Sequence, residues 1–132
     1  MIGQDPMAHA NHRVLIVDDD SDVVSATSML LSIWGCEAAS VVDPSRAEGA
    51  ALAFHPDVIL LDVAMPEMDG FEVARAIRSH PQFKNTKIIA VSGFAHESNR
   101  AKAKECGIDC YFVKPVVPDE LHHEIDEEEK LH

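Results

Sequence analysis

The chain predicts a doubly wound α/β domain built on a parallel sheet. Three observations carry this. Five short apolar runs alternate along the sequence with five segments of helical apolar spacing. The runs lack the polar alternation of a half-exposed strand, so both of their faces are expected to be buried. Four of the runs end on a charged or hydroxyl side chain, and open α/β sheets gather their sites at the carboxyl ends of strands.

In order, Arg13-Val14-Leu15-Ile16-Val17 is a β-branched apolar run stopped by Asp18-Asp19-Asp20. Asp20 or Ser21 can cap the helix that follows. Val23, Val24, Thr27, Leu30, Leu31 and Trp34 recur at helical spacing, read as ordinary core, and Gly35 is a natural stop. A weaker strand runs from Glu37 to Val42. Asp43-Pro44 then supplies an N-cap with proline at the first helical position, and Ala47, Ala50, Ala51 and Phe54 line one face. Gly49 inside this helix costs about 1 kcal/mol of propensity, so it is expected to be the least stable of the five. His55-Pro56 ends it.

The third strand, Asp57 to Leu61, delivers Asp62 to a loop punctuated by proline and glycine, Met65 to Gly70. Phe71, Ala74 and Ile77 make a third helix closed by Pro81. Lys87 to Val91 is a fourth strand ending on Ser92-Gly93, and Ser98 to Cys106 a fourth helix stopped by Gly107. Tyr111-Phe112-Val113 is a fifth strand ending on Lys114-Pro115. Leu121 and Ile125 anchor a fifth, acidic helix.

A length of 132 residues fits one domain with a real core. Residues 13–129 are expected to form it, with 1–12 as a disordered leader or cloning residue and 130–132 as a tail. No apolar run reaches the roughly 18 residues of a membrane helix. The first twelve residues lack the basic-then-apolar order of a secretory signal, so a cytoplasmic location with no membrane contact is expected. Acidic residues outnumber basic ones 23 to 11, giving a net charge of −12. That balance argues against direct nucleic-acid binding and fits protein partners or a cation. Cys36, Cys106 and Cys110 lack paired zinc-ligand spacing and read as reduced thiols.

The loaded strand ends are Asp18-Asp19 on the first, Asp62 on the third, Ser92 on the fourth and Lys114 on the fifth. Right-handed crossovers keep all carboxyl ends on one edge. Those four ends converge if their strands are neighbours and the second lies at the sheet edge, the flavodoxin-like order 2-1-3-4-5. Like charges about 4 Å apart repel by on the order of 4 kcal/mol at an effective dielectric of about 20. An acidic trio therefore needs a cation, and oxygen-only ligands that leave room for water suit Mg2+, with Mn2+ as a substitute. Lys114 can neutralise a phosphoryl oxygen and Ser92 can donate to another. Asp62 can act as a carboxylate nucleophile in phosphoryl transfer. Each residue alone is more simply a cap or loop residue. Their joint placement at successive strand ends is not.

Taken together, Val17-Asp18-Asp19, Asp62, Met65-Pro66-x-Met68-Asp69-Gly70, Val91-Ser92-Gly93 and Tyr111-x-x-Lys114-Pro115 resemble the receiver domains of two-component response regulators, chemotaxis-type members included. The resemblance runs from about Arg13 to Glu129. It implies that Asp62 accepts a phosphoryl group from a sensor histidine kinase or histidine phosphotransfer protein. It implies that Asp18, Asp19, Asp62 and the Ala64 backbone carbonyl hold Mg2+, and that Lys114 contacts the phosphoryl oxygens. Ser92 and Tyr111 resemble the family's switch pair, and a cis Lys114-Pro115 bond is expected. The readout surface is expected on the fourth helix, fifth strand and fifth helix, facing a downstream protein whose identity the sequence does not give. The resemblance implies that Ala64 and Phe94 flank the path of a hydrolytic water, and neither side chain can position one, so slow autodephosphorylation is expected. The domain would thus catalyse only its own phosphotransfer and dephosphorylation. A phosphatase with an aspartyl-phosphate intermediate would want a second aspartate where Ala64 stands. A flavin-binding module would want a hydroxyl- and glycine-rich loop in place of Asp18-Asp19-Asp20. A docking-only pseudo-receiver would have no need of the full residue set.

Overall fold

The computed structural model describes residues 12–64, 69–93 and 97–126. Five parallel strands, β1 (Arg13–Val17), β2 (Glu37–Val41), β3 (Val58–Asp62), β4 (Lys87–Ser92) and β5 (Cys110–Val113), form one sheet in the order β2-β1-β3-β4-β5. Helices α1 (Ser21–Ile33), α2 (Ala47–Phe54), α3 (Gly70–Arg78), α4 (Glu97–Glu105) and α5 (Pro118–Asp126) make the crossovers and close the chain. This is the flavodoxin-like α/β fold.

Alternation along each strand splits the core into two layers. Leu15, Val17, Ile59, Leu61, Ile88 and Ala90 point to one face, where Ala47 and Ala51 of α2, Phe71, Ala74 and Ile77 of α3 and Ala103 of α4 cover them. Val14, Ile16, Val58, Leu60 and Ile89 point to the other, under Val24 and Leu31 of α1 and Leu121 and Ile125 of α5. Burial of both faces explains why these strands read as unbroken apolar runs.

Register positions the site. Val17 pairs with Leu61, Asp62 with Val91, and Ser92 with Val113. Asp18, Asp62, Ser92 and Lys114 therefore stand within about one residue of a single row across the sheet's carboxyl edge.

Element bounds differ from the sequence reading for local reasons. Asp43 caps a 3-10 turn, Pro44–Arg46, before α2 begins, its carboxylate accepting from Ser45 N. Val42 falls outside β2 and is exposed, whereas Asp62 and Ser92 belong to their strands because each backbone still pairs. Pro81 opens a second 3-10 turn, Pro81–Phe83, after α3 has ended at Arg78. Of the two candidate caps for α1, Asp20 is used: its side chain accepts from Asp22 N and Val23 N. Trp34, expected in the core, is half-buried at the end of α1 and stacks on His122 at 4.2 Å. No helix among the described residues is long and apolar enough to cross a membrane.

Candidate functional site

Each edge residue is held by its own strand and by backbone donors. Asp18 follows β1, and its backbone N–H donates to Val41 O at 3.1 Å. Its Oδ1 accepts from Asp20 N at 3.0 Å, which leaves Oδ2 aimed across the edge. Asp62 ends β3, and its Oδ1 accepts from Ala64 N at 2.8 Å. Lys114 follows β5, with its backbone N–H on Ser92 O at 2.7 Å. The lysine side chain then turns over the edge. Its Nζ lies 3.1 Å from Asp18 Oδ2 and 3.3 Å from Asp62 Oδ2.

The structure thus brings together the aspartates and the lysine. One carboxylate oxygen each from Asp18, Asp19 and Asp62 lie within 4.8 Å of one another. Asp18 is 2% exposed and Asp62 6%, while Asp19 faces solvent. Burial raises the Asp18 pKa, the Asp62 charge adds to this, and the Asp20 amide and the lysine oppose it. For Lys114, burial acts to lower the pKa, but the carboxylates of Asp18 and Asp62 outweigh it and the net shift is upward. One ammonium shared by two carboxylates leaves negative charge over. A hard, oxygen-only donor set with one solvent-facing member fits a divalent cation that keeps several waters.

Ser92 is 1% exposed at the end of β4, one strand over from Asp62. Tyr111 lies in β5, half-buried and packed against the α2–α3–α4 layer, with the Arg100 guanidinium 5.1 Å above its ring. Ala64 is exposed beside the site. The Lys114-Pro115 peptide is cis. Met65 to Met68, Phe94 and Glu127 to Glu129 lie outside the described residues.

Two residues matter more than their sequence signals indicate. A Cβ on Gly70 would stand 2.4 Å from Val63 Cα and 2.9 Å from Asp62 O, so the amino end of α3 meets the strand end that carries Asp62. Only glycine allows that approach. Asp69 caps α3 by accepting from Phe71 N at 2.9 Å, and its other oxygen pairs with Lys102 of α4 at 3.5 Å. The sequence signal was the Asp-Gly pair itself, which reads as a turn until the helix start is seen to press on β3. Beside Asp18 and Lys114 lies an apolar recess of about 580 Å3, walled by Val23, Thr27 and Leu30 of α1 and by Pro115 and Val116.

A parallel α/β sheet with carboxylates from two strands and a lysine from a third at one edge defines a flavodoxin-like domain with a cation-ready acidic pocket. The chain belongs to the response regulator receiver domain family, whose sequence pattern matches residues 14–126. It is 38% identical over 83% of its length to the transcriptional regulatory protein PrrA of Mycobacterium tuberculosis, and spans 46% of that regulator. Among solved structures it resembles the chemotaxis protein CheY4 of Vibrio cholerae, with a TM-score of 0.83 and 32% identity, covering 88% of this chain and 97% of the other. The receiver domain of sensor histidine kinase PA1611 from Pseudomonas aeruginosa superposes with a TM-score of 0.78 at 27% identity, covering 88% and 95% of the two chains. That domain was crystallised with a magnesium ion coordinated in its active site cleft. Receiver domains are phosphoacceptor signalling domains that bind Mg2+ at an acidic pocket and interact with histidine kinases and downstream effectors.

Proposed function

We propose that Asp62 is the phosphoacceptor of this receiver and takes a phosphoryl group from the histidine of a kinase or phosphotransfer protein. The observation that carries this is the Lys114 ammonium set 3.1 Å from Asp18 and 3.3 Å from Asp62 at the sheet's carboxyl edge. In the transfer, a carboxylate oxygen of Asp62 forms the new P–O bond as the bond to the donor imidazole breaks. The Ala64 amide holds Oδ1 of the acceptor, so the carboxylate meets the donor in a fixed orientation. Lys114 neutralises charge on the phosphoryl oxygens. Asp18, Asp19 and Asp62, with the Ala64 carbonyl, would hold Mg2+, which supplies charge neutralisation between carboxylates and phosphoryl group. The apolar recess between α1 and Pro115-Val116 suits the donor protein, since a helix laid there reaches the edge carrying Asp62.

Phosphorylation adds three acceptor oxygens and close to two negative charges where Lys114 and Ser92 stand. Ser92 moves toward them, and the space it leaves admits the Tyr111 ring. This biases the α4–β5–α5 surface between two arrangements, and a downstream protein reads the difference. The decisive experiment is stoichiometric labelling by acetyl phosphate. Labelling should require Mg2+ and vanish in Asp62→Asn. Labelling that persists in the variant would place the acceptor elsewhere and defeat the proposal.

A further inference from the structure

Away from the acidic edge, positive charge concentrates in one described groove. It is about 640 Å3 in volume, lies between α4 and the start of β5, and reaches the α3–β4 connection. Arg78, Lys84, Arg100 and Lys104 line it, four of the chain's eleven lysines and arginines. Asp109 also lines it, but its Oδ2 already accepts from Arg78 Nη2 at 3.0 Å and Ile88 N at 2.9 Å. Arg78 in turn is committed to backbone carbonyls. The effective cations are thus Lys84, Arg100 and Lys104, all exposed. Neither Lys84 nor Lys104 has an ion-pair partner among the described residues. Arg100 is steadied against the Tyr111 ring.

In a chain of net charge −12, three unopposed cations on one groove make a local field of the opposite sign. The neighbouring α5 presents Asp119 and Glu120 instead. Arg100 and Lys104 are one helical turn apart, about 6 Å along the axis. An extended peptide repeats its same-side residues at about 6.5 to 7 Å. We infer that this groove binds an extended acidic segment of a partner protein, with carboxylates at alternating positions meeting Arg100 and Lys104 and a further one directed toward Lys84. The inference rests on the reading of the α4–β5 side as the readout surface. It gives the partner a chemistry, and it shifts the footprint away from acidic α5 toward the α3–β4 connection. A nucleic acid fits less well, because its continuous charge would also meet α5.

The test is fluorescence anisotropy with the full, unphosphorylated chain and a labelled peptide carrying glutamate at alternating positions. Binding should be saturable and weaken as salt rises. It should fall at least tenfold for a peptide with glutamine in place of glutamate, and likewise for the double variant Lys84→Glu/Lys104→Glu. An unchanged melting curve excludes misfolding of that variant; if it melts early, Lys84→Gln/Lys104→Gln replaces it. Equal binding of both peptides, or none, overturns the inference. So does displacement by inorganic phosphate at equal charge concentration, tighter binding of a single-stranded oligonucleotide, or a homodimer that the charge reversals dissolve. Labelling at Asp62 is read separately, so failure of the phosphoacceptor proposal and failure of this one are distinguishable.

Discussion

Both ends of the sheet are lined with charged side chains, and the two ends treat them in opposite ways. At the amino edge Arg78, Arg13 and Lys87 are each matched by carbonyls or carboxylates. Arg78 Nη1 donates to Phe83 O at 2.6 Å and Thr86 O at 2.8 Å, Nε and Nη2 donate to Gly107 O, and Nη2 also reaches Asp109. All five guanidinium N–H groups are used. Arg13 likewise donates to Phe54 O and Glu37, and buried Lys87 to the carbonyl and carboxylate of Glu124. At the carboxyl edge three carboxylates gather, and one lysine pairs with two of them. Matched charge holds crossovers in place, whereas surplus charge of one sign is a site waiting for a counter-ion.

The largest expected effect follows from the matched end. Arg78→Met keeps most of the side-chain bulk but removes every donor. Three carbonyls and the Asp109 carboxylate then lose their partner together, and breaking such a partly buried network costs about 3 to 5 kcal/mol. Urea melts should show that shift in midpoint. Arg78→Lys should recover only part of it, since an ammonium cannot reproduce the planar fork. Full recovery by lysine would mean that charge, not geometry, joins the crossovers.

Gly70→Ala tests how tightly the carboxyl edge is built. The added Cβ would meet backbone atoms of Val63 and Asp62 at 2.4 and 2.9 Å, and neither can yield cheaply. Overpacking of this kind costs about 1 to 3 kcal/mol. The displaced strand end should also slow acetyl phosphate labelling by more than the stability loss explains. A variant that loses stability but labels at the parent rate would show that α3 supports the fold without setting the acceptor's position.

Most of this arrangement was legible in the sequence because periodicity and strand-end chemistry report on the same sheet edge. Asp18, Asp62, Ser92 and Lys114 each follow or end an apolar run, so the strand order and the site could be argued together. The amino edge was not legible. Arg78 sits in the last turn of an amphipathic helix, where a basic residue is expected anyway, and its carbonyl partners belong to segments 5 to 29 residues away. Backbone acceptors carry no sequence signal. Gly70 was read as loop punctuation for a similar reason: the contact that demands glycine is made by a helix end against another strand's backbone.

Removing one of the surplus charges should stabilise the fold, which is the reverse of the Arg78 result. Asp18→Asn retains an acceptor for the Asp20 amide and relieves repulsion with Asp62. A gain on the order of 1 kcal/mol is expected at neutral pH without divalent cation, the usual sign of a site kept strained for function. The Asp18 pKa is raised in the fold. Its protonated form is therefore favoured by folding, and stability from this group is present at low pH and lost as pH rises through the folded value. The advantage of asparagine should accordingly fade on acidification. Adding Mg2+ should stabilise the parent more than the variant. Thermal melts with and without Mg2+ at two pH values check all three signs.

The smallest effect belongs to a position where neither edge is involved. Gly49 lies in α2, exposed, and a Cβ there would meet nothing within 4 Å. Alanine reduces the entropy of the unfolded chain and suits the helix, so Gly49→Ala should add about 0.5 to 1 kcal/mol. It contrasts with Gly70, where the same methyl group has no room. Because α2 packs through Ala47 and Ala51 and carries no residue of the acidic site, labelling at Asp62 should be unchanged. If the substitution gave no gain in melting temperature, the weakness of α2 would have to lie at its ends. The left-handed His55 at the C-cap, with φ of 56°, would then be the next position to change.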